Sequence, residues 1–357
     1  MSQSPKESLS VILRKPHDVV VEKIPVPSVG EPSVAVELGA CGICGSDVRY
    51  FDGENPWALH TLGKSLPSPP NLVLGHEVAG TVREDGGSRR VAILAYRACG
   101  KCASCVTGNE NRCDDMEHFG HSAGWGSMPY FPGGMAHHFR IWRGFDYAIP
   151  DSISFEEATF LDGLAVAVHA VSQAALARRD RLGILGLGPI GLLAAQVARA
   201  WGVAEVVGCD VAEIPVRLAR ETGFAGAVRG DTAELLSVVG SGGAAGKLSA
   251  VIDTVGTEAS IRDGLALLEK GGALVLLAVH DKPVSIAPIA LSSERRLVTS
   301  SNNRYVDFPA AIELLSSGYV RVRQLITHRY PLAEAPRAFR MLLETGRDQA
   351  YKVVLLP

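Results

Sequence analysis

Four cysteines, Cys99, Cys102, Cys105 and Cys113, stand in a C-x2-C-x2-C-x7-C pattern within a loop rich in Gly, Lys and Asn. Four thiolates this close in the chain can close a tetrahedral shell around one zinc ion, and an all-protein shell leaves no position for a substrate. The pattern therefore predicts a structural zinc that orders a lobe over about residues 97–115. The chain has seven cysteines and no N-terminal apolar run ahead of a cleavage site. Reduced thiols and a cytoplasmic protein are expected, so metal rather than disulfides accounts for the cluster.

A second set of residues lies between Arg181 and Asp210. An apolar run at 182–185 leads into Gly186-Leu187-Gly188-Pro189-Ile190-Gly191. Apolar residues at helical spacing follow (Leu193, Val197, Trp201), then a second apolar run that ends in Asp210. Strand, glycine turn, helix, strand and acid in this order predict a dinucleotide site. Gly186 permits the turn, Gly188 lets a pyrophosphate approach the backbone, and Gly191 lets the helix approach the strand. The helix start at Pro189 and Ile190 offers N–H groups and the positive dipole end to phosphate. Asp210 would accept hydrogen bonds from the adenosine ribose hydroxyls and repel a 2′-phosphate, which predicts NAD rather than NADP.

Three further residues carry chemistry only if folding brings them together. They are Cys44 in Cys44-Gly45-Ser46-Asp47, His76 in Gly75-His76-Glu77, and Asp162 in Leu161-Asp162-Gly163. Taken singly, they read first as a core cysteine, a satisfied structural histidine and a helix-start acid that caps or faces water, and only second as ligands.

The elements that must position these residues follow from periodicity. Residues 1–150 read as short strands (19–21, 34–38, 78–82, 91–95) separated by Pro and Gly, which suits a barrel or sandwich. At Ser154 a capping box with Glu157 opens a long helix to about residue 177. Helix 214–222, strand 250–254, helix 259–268 and strand 273–279 then alternate, which predicts an α/β, doubly wound parallel sheet. Helices at 308–316 and 333–343 and a last strand at 351–356 return to the first domain. A length of 357 residues suits two domains. A net charge of -3 gives no basic face for nucleic acid, and the longest nearly uncharged run, 182–198, is broken by Pro189 and glycines, so no membrane span is expected.

In order and spacing, these pieces resemble the zinc-dependent medium-chain dehydrogenase/reductase family over essentially the whole chain. The matching segments are Cys44-Gly45-Ser46-Asp47, Gly75-His76-Glu77, the four-cysteine lobe, 186–191, Asp210 and Ile326-Thr327-His328. They look most like the branch containing sorbitol, threonine and butanediol dehydrogenases. The resemblance implies a mostly β, GroES-like catalytic domain (1–160 and 300–357) with a Rossmann-type NAD-binding domain (161–299) inserted in it.

It further implies that Cys44 and His76 bind a catalytic zinc, with Glu77 as an alternate ligand. The third ligand falls on Asp162, where relatives carry Glu-Pro-Leu and this chain has Asp162-Gly163-Leu164. Asp47 would orient His76. Ser46 matches a proton-relay hydroxyl, but Arg49 stands where many relatives have a relay histidine, and a guanidinium does not give up its proton. Pro215 replaces an arginine of many NAD-using relatives. Arg49, Tyr50, Phe119, Asn303 and Arg304 become substrate-pocket candidates. Cys41, Cys209 and His169 read as packing, and His118, His121, His137 and His138 as a surface loop.

The implied activity is hydride transfer from a secondary alcohol (a polyol, sugar or cyclitol) to NAD, with two zinc ions per chain and a homodimer or homotetramer. An amino-alcohol substrate of the threonine type is the first alternative. A non-catalytic NAD-binding structural or sensor protein is the second, and it would have no use for a metal with an open position.

Overall fold

Ser33–Ile43 is the longest strand of the computed structural model, which describes residues 5–84, 86–122, 124–239, 247–278, 280–345 and 350–357. The chain divides into one unit of Met1–Asp162 with Leu325–Pro357 and a second of Gly163–Gln324.

In the first unit, Ser33–Ile43 pairs antiparallel with Glu77–Glu84, His138–Trp142 and Lys352–Leu356 in turn. Alternating Val34, Val36 and Leu38 are buried with Phe139, Trp142, Val82 and Leu355 in one apolar core, the usual reward for period-two patterning. A second sheet joins Asp18–Pro25, Glu7–Lys15 and Leu72–Val73. Register decides what meets at the sheet end: Gly42 lies opposite Glu77 and Ile43 opposite Val353. The residue after the first strand, the one before the second and those that open the other two, Cys44, His76, Glu77 and Lys352, therefore converge. The Ile326-Thr327-His328 segment joins them, because Ile326–Pro331 pairs parallel with the last strand and Thr327 Oγ1 donates to Lys352 O at 3.1 Å.

The helix expected from Ser154 is divided. The capping box forms, with Glu157 N donating to Ser154 Oγ at 3.2 Å and Ser154 N to Glu157 Oε2 at 3.0 Å. Phe155–Ala158 then closes with i→i−3 bonds, Thr159 N to Glu156 O at 3.3 Å and Phe160 N to Glu157 O at 3.1 Å. A fresh helix, Leu161–Gln173, starts beyond this break, with Asp162 in its first turn.

Among the described residues the second unit holds a sheet of six parallel strands. Across the sheet they run Ala227–Arg229, Glu205–Asp210, Arg181–Leu185, Leu248–Asp253, Leu268–Leu276 and Arg296–Thr299. Numbered by sequence this is 3-2-1-4-5-6, the order of a dinucleotide-binding sheet, with its switch point between the first and fourth strands. The strand expected at 273–279 begins earlier, and Val279 lies outside the described residues. Residues 300–324 fall in this unit rather than in the first, as their single elements had suggested. Arg321 N donates to Gln196 Oε1 at 2.8 Å and Gln196 Nε2 to Arg321 O at 3.3 Å, which ties the segment to helix Pro189–Ala200.

Candidate metal and dinucleotide sites

Cys44 precedes the helix Gly45–Phe51, Glu77 opens the facing strand Glu77–Glu84, and His76 is the residue before it. Asp47, fully buried, holds the two segments together. Its carboxylate accepts Cys44 N at 2.9 Å and Gly75 N at 3.2 Å, and stands 3.8 Å from His76 Nδ1. With Nδ1 turned to that acid, Nε2 is the nitrogen left to a metal. Burial opposes charge on His76, but Asp47, Cys44 and Asp162 outweigh it and hold the imidazole well above its ordinary pKa. Burial raises Asp47 against the pull of His76.

The donor atoms of Cys44, His76 and Glu77 all lie within 4.8 Å of one another. Ser46 Oγ and His76 Nδ1 are buried without a hydrogen-bond partner among the described residues. A thiol, an imidazole and a carboxylate brought together beside such orphaned atoms fit a zinc ion. Glu77 completes the set, while Asp162, one methylene shorter than the glutamate of relatives, lies outside it. Asp162 is still close enough to sense the site: burial pushes its pKa up to about 6, with His76 and Lys352 drawing it down and Glu77 and Asp47 raising it further.

Lys352 was not singled out from the sequence. It is 3% exposed, its Nζ pairs with Glu77 Oε2, and it lies 5.1 Å from the Phe160 ring centroid. Burial disfavours its charge, but Glu77 and Cys44 more than restore it. The available signal was a lone cation opening the apolar strand Lys352–Leu356, where an unpaired charge would be very costly.

The remaining candidates separate. Arg49 is ion-paired with Glu54 at 2.6 Å. Phe119 is fully buried against Phe139, with ring centroids 5.4 Å apart. Tyr50 is also buried, its pKa raised by desolvation, and its hydroxyl lies 3.1 Å from His121 Nδ1. His121 is therefore not a surface-loop residue: it is buried, and its ring lies 4.7 Å from that of His76. His118, His137 and His138 are partly buried. In the second unit, Asn303 is fully buried, and Arg304 is paired with Asp307 at 3.0 Å, the same acid that lies 3.2 Å from His169. Those contacts make Arg304 a brace within its own unit. Cys41 and Cys209 are buried in apolar cores.

The four lobe cysteines have their sulfurs within 4.8 Å of one another and form no disulfide. Cys102 and Cys105 sulfurs are 3.4 Å apart, and those of Cys99 and Cys105 are 3.9 Å apart. Sulfurs at 2.3 Å from a shared tetrahedral zinc would lie about 3.8 Å apart, so this shell fits the ion. Backbone N–H groups of Lys101 and Cys102 lower Cys99 to about 6, whereas burial lifts Cys105 to about 12.

At the switch point of the parallel sheet, Gly186 has φ +87°. A Cβ there would come within 2.5 Å of Thr254 Oγ1, and one on Gly191 would overlap Gly186 O, so turn and helix pack backbone to backbone. Gly188 caps the helix Pro189–Ala200 with extended backbone, Pro189 and Ile190 forming its first turn. The Asp210 carboxylate accepts Leu187 N and Ala212 N, each at 2.9 Å, so the acid also braces the loop beside it. This cradle fits a dinucleotide.

Residues 30–151 match the family described as alcohol dehydrogenase GroES-like domain, and residues 189–317 the family described as zinc-binding dehydrogenase. The probable D-xylulose reductase A of Aspergillus terreus is 30% identical over 351 residues, covering 94% of this chain and 94% of that protein. The chain belongs to the zinc-dependent medium-chain dehydrogenase/reductase family. The sorbitol dehydrogenase of Bacillus subtilis (strain 168) is 25% identical to this dehydrogenase over 361 residues, covering 99% and 98% of the two chains. A solved zinc-binding dehydrogenase of Sinorhizobium meliloti 1021, bound to NADP, is 26% identical with a TM-score of 0.83, over 99% of this chain and 100% of that one. The dehydrogenase is thus an oxidoreductase of the zinc-dependent alcohol and polyol type. Among the described residues no helix is long and apolar enough to cross a membrane.

Proposed function

We propose that this dehydrogenase oxidises a secondary alcohol of a polyol, sugar or cyclitol to the ketone, with NAD as acceptor. In this reading Cys44, His76 and Glu77 hold a catalytic zinc with Asp162 alongside, and Cys99, Cys102, Cys105 and Cys113 hold a structural one. The observation that carries it is the meeting of a thiol, an imidazole and a carboxylate within 4.8 Å. The polyol in the name of the Bacillus subtilis relative and the ketose in that of the Aspergillus terreus relative support the substrate class.

Zinc supplies the Lewis acidity that lowers the pKa of a substrate hydroxyl, and the nicotinamide supplies the hydride acceptor. Ser46 Oγ takes the proton that the hydroxyl gives up. Arg49 does not pass it on, because its guanidinium stays protonated and is held by Glu54. The proton leaves Ser46 through water. Lys352 fixes the Glu77 carboxylate, so that acid is oriented before any ligand arrives.

Asp210 supports NAD, since its carboxylate repels a 2′-phosphate. One observation favours NADP instead: Arg229 pairs in register with Asp210 on the neighbouring strand, where its guanidinium, 3.5 Å from Glu213, carries the charge a 2′-phosphate needs.

The test is a cofactor-reduction screen with both nucleotides across polyols, inositols, aminocyclitols, sugar acids, amino alcohols and simple secondary alcohols. Highest kcat/KM with NAD and a polyhydroxylated alcohol is expected. Turnover confined to amino alcohols would move the enzyme to the threonine type, and absence of turnover with every alcohol would contradict the assignment.

A further inference from the structure

We infer that His280 is a positioning residue for the nicotinamide half of the cofactor: its ring latches together the turns that leave the fourth and fifth strands of the parallel sheet, and so fixes the rim on which that half lies. The inference rests on the dinucleotide reading of the second unit.

A sheet of order 3-2-1-4-5-6 is built from two mononucleotide halves, and its ligand lies across the carboxyl ends of the strands. Asp210 ends the second strand, which gives the adenosine to strands one to three and leaves the nicotinamide mononucleotide to strands four to six. Within that second half, Leu248–Asp253 and Leu268–Leu276 end level, Asp253 opposite Leu276, and Leu277 N donates to Asp253 O at 3.0 Å. The chain leaves both strands at the same height, so whatever holds the two turns shapes the rim.

The turn after the fourth strand is held from below. Thr254 Oγ1 lies 3.0 Å from Leu185 O and 3.2 Å from Gly186 O, which anchors it to the glycine turn. The Asp253 carboxylate accepts Val255 N at 2.8 Å, Gly256 N at 3.0 Å and Ser260 Oγ at 2.8 Å. The chain bends at Gly256, φ +72°, where a Cβ would come within 2.4 Å of Ala278 Cβ in the neighbouring turn. The turn after the fifth strand is held through His280. A backbone N–H can only donate, so His280 Nδ1 accepts from Lys282 N at 3.1 Å. The ring proton is then on Nε2, which donates to Gly256 O at 2.5 Å. One imidazole thus closes its own turn through Nδ1 and clamps it to the other through Nε2. The latch is at the surface, where a ligand arrives: His280 is exposed, and so is Val255, whose Cγ2 would lie 3.0 Å from a Cβ on Gly186. A rim fixed in advance spares the cofactor the cost of ordering it.

The test is binding. Dissociation constants for NADH and for ADP, which lacks the nicotinamide half, are measured by calorimetry for the unsubstituted protein, His280→Phe and His280→Gln. Phenylalanine keeps a ring and removes both bonds, whereas glutamine keeps an N–H donor that reaches toward Gly256 O. In His280→Phe the Kd of NADH should rise about tenfold while that of ADP stays within about twofold, and His280→Gln should recover part of the loss. Unchanged NADH affinity in His280→Phe, a glutamine variant no better than it, or equal weakening of NADH and ADP, as a general brace of the sheet would give, refutes the inference and leaves the dinucleotide reading intact. Failure of the unsubstituted protein to bind NADH removes that reading and the inference with it.

Discussion

Asp162 carries a pH signature. Burial is the largest influence on its carboxyl and raises the folded-state pKa to about 6 from 3.8. A group raised in the folded state contributes stability that is fully present below the unfolded pKa and lost as pH rises through the folded one. In zinc-stripped protein, Asp162→Asn should therefore match wild type below about pH 4. Above pH 6 it should exceed wild type by on the order of 1–2 kcal/mol in urea denaturation. A difference of the same size at both ends would mean that the carboxylate is not desolvated. Residues of this kind were only partly legible beforehand. The lobe cysteines announced themselves because all four ligands lie within one short loop. Cys44, His76 and Asp162 had no local signal and took their meaning from the family resemblance. Lys352 was passed over because its partner, Glu77, is remote in the chain.

The glycine turn and the acid that follows it form a unit whose parts depend on one another. Gly191→Val would force a side chain onto Gly186 O and push helix from strand. Fluorescence titration should show NADH affinity falling at least about tenfold, and native affinity would contradict the backbone-to-backbone packing. Asp210→Ala removes both the proposed ribose acceptor and the brace on Leu187 N–H and Ala212 N–H. The KM for NAD should rise, and the kcat/KM preference for NAD over NADP should fall about tenfold or more. Unchanged discrimination would transfer the reading of the 2′ position to Arg229. Strand, turn, helix and strand were readable because every contact that defines them is local. The break at Thr159 and Phe160 was not, since it turns on i→i−3 bonding within an otherwise helical run. Nor was the membership of residues 300–324, which depends on Gln196 and Arg321 meeting across the second unit.

Across the whole chain, each unit carries its own binding chemistry: the first has two metal-fitting donor sets and the second a dinucleotide cradle. The family relationship spans both, from residues 30–151 to 189–317. What sequence reading supplied was the inventory of motifs and the class of fold. What it could not supply was register, and register opposes Gly42 to Glu77 and Ile43 to Val353 and so assembles the first metal site. It also read His121 as part of a surface loop, while Gly120 presses that loop against the backbone of Gly75 and His76 and His121 is buried. The most direct test of the account is zinc per chain together with polyol-dependent NAD reduction in wild type and Cys44→Ala. The account predicts two zinc ions falling to one, with turnover lost by at least about a thousandfold and NADH binding retained. Two ions retained, or turnover equal to wild type, would contradict it.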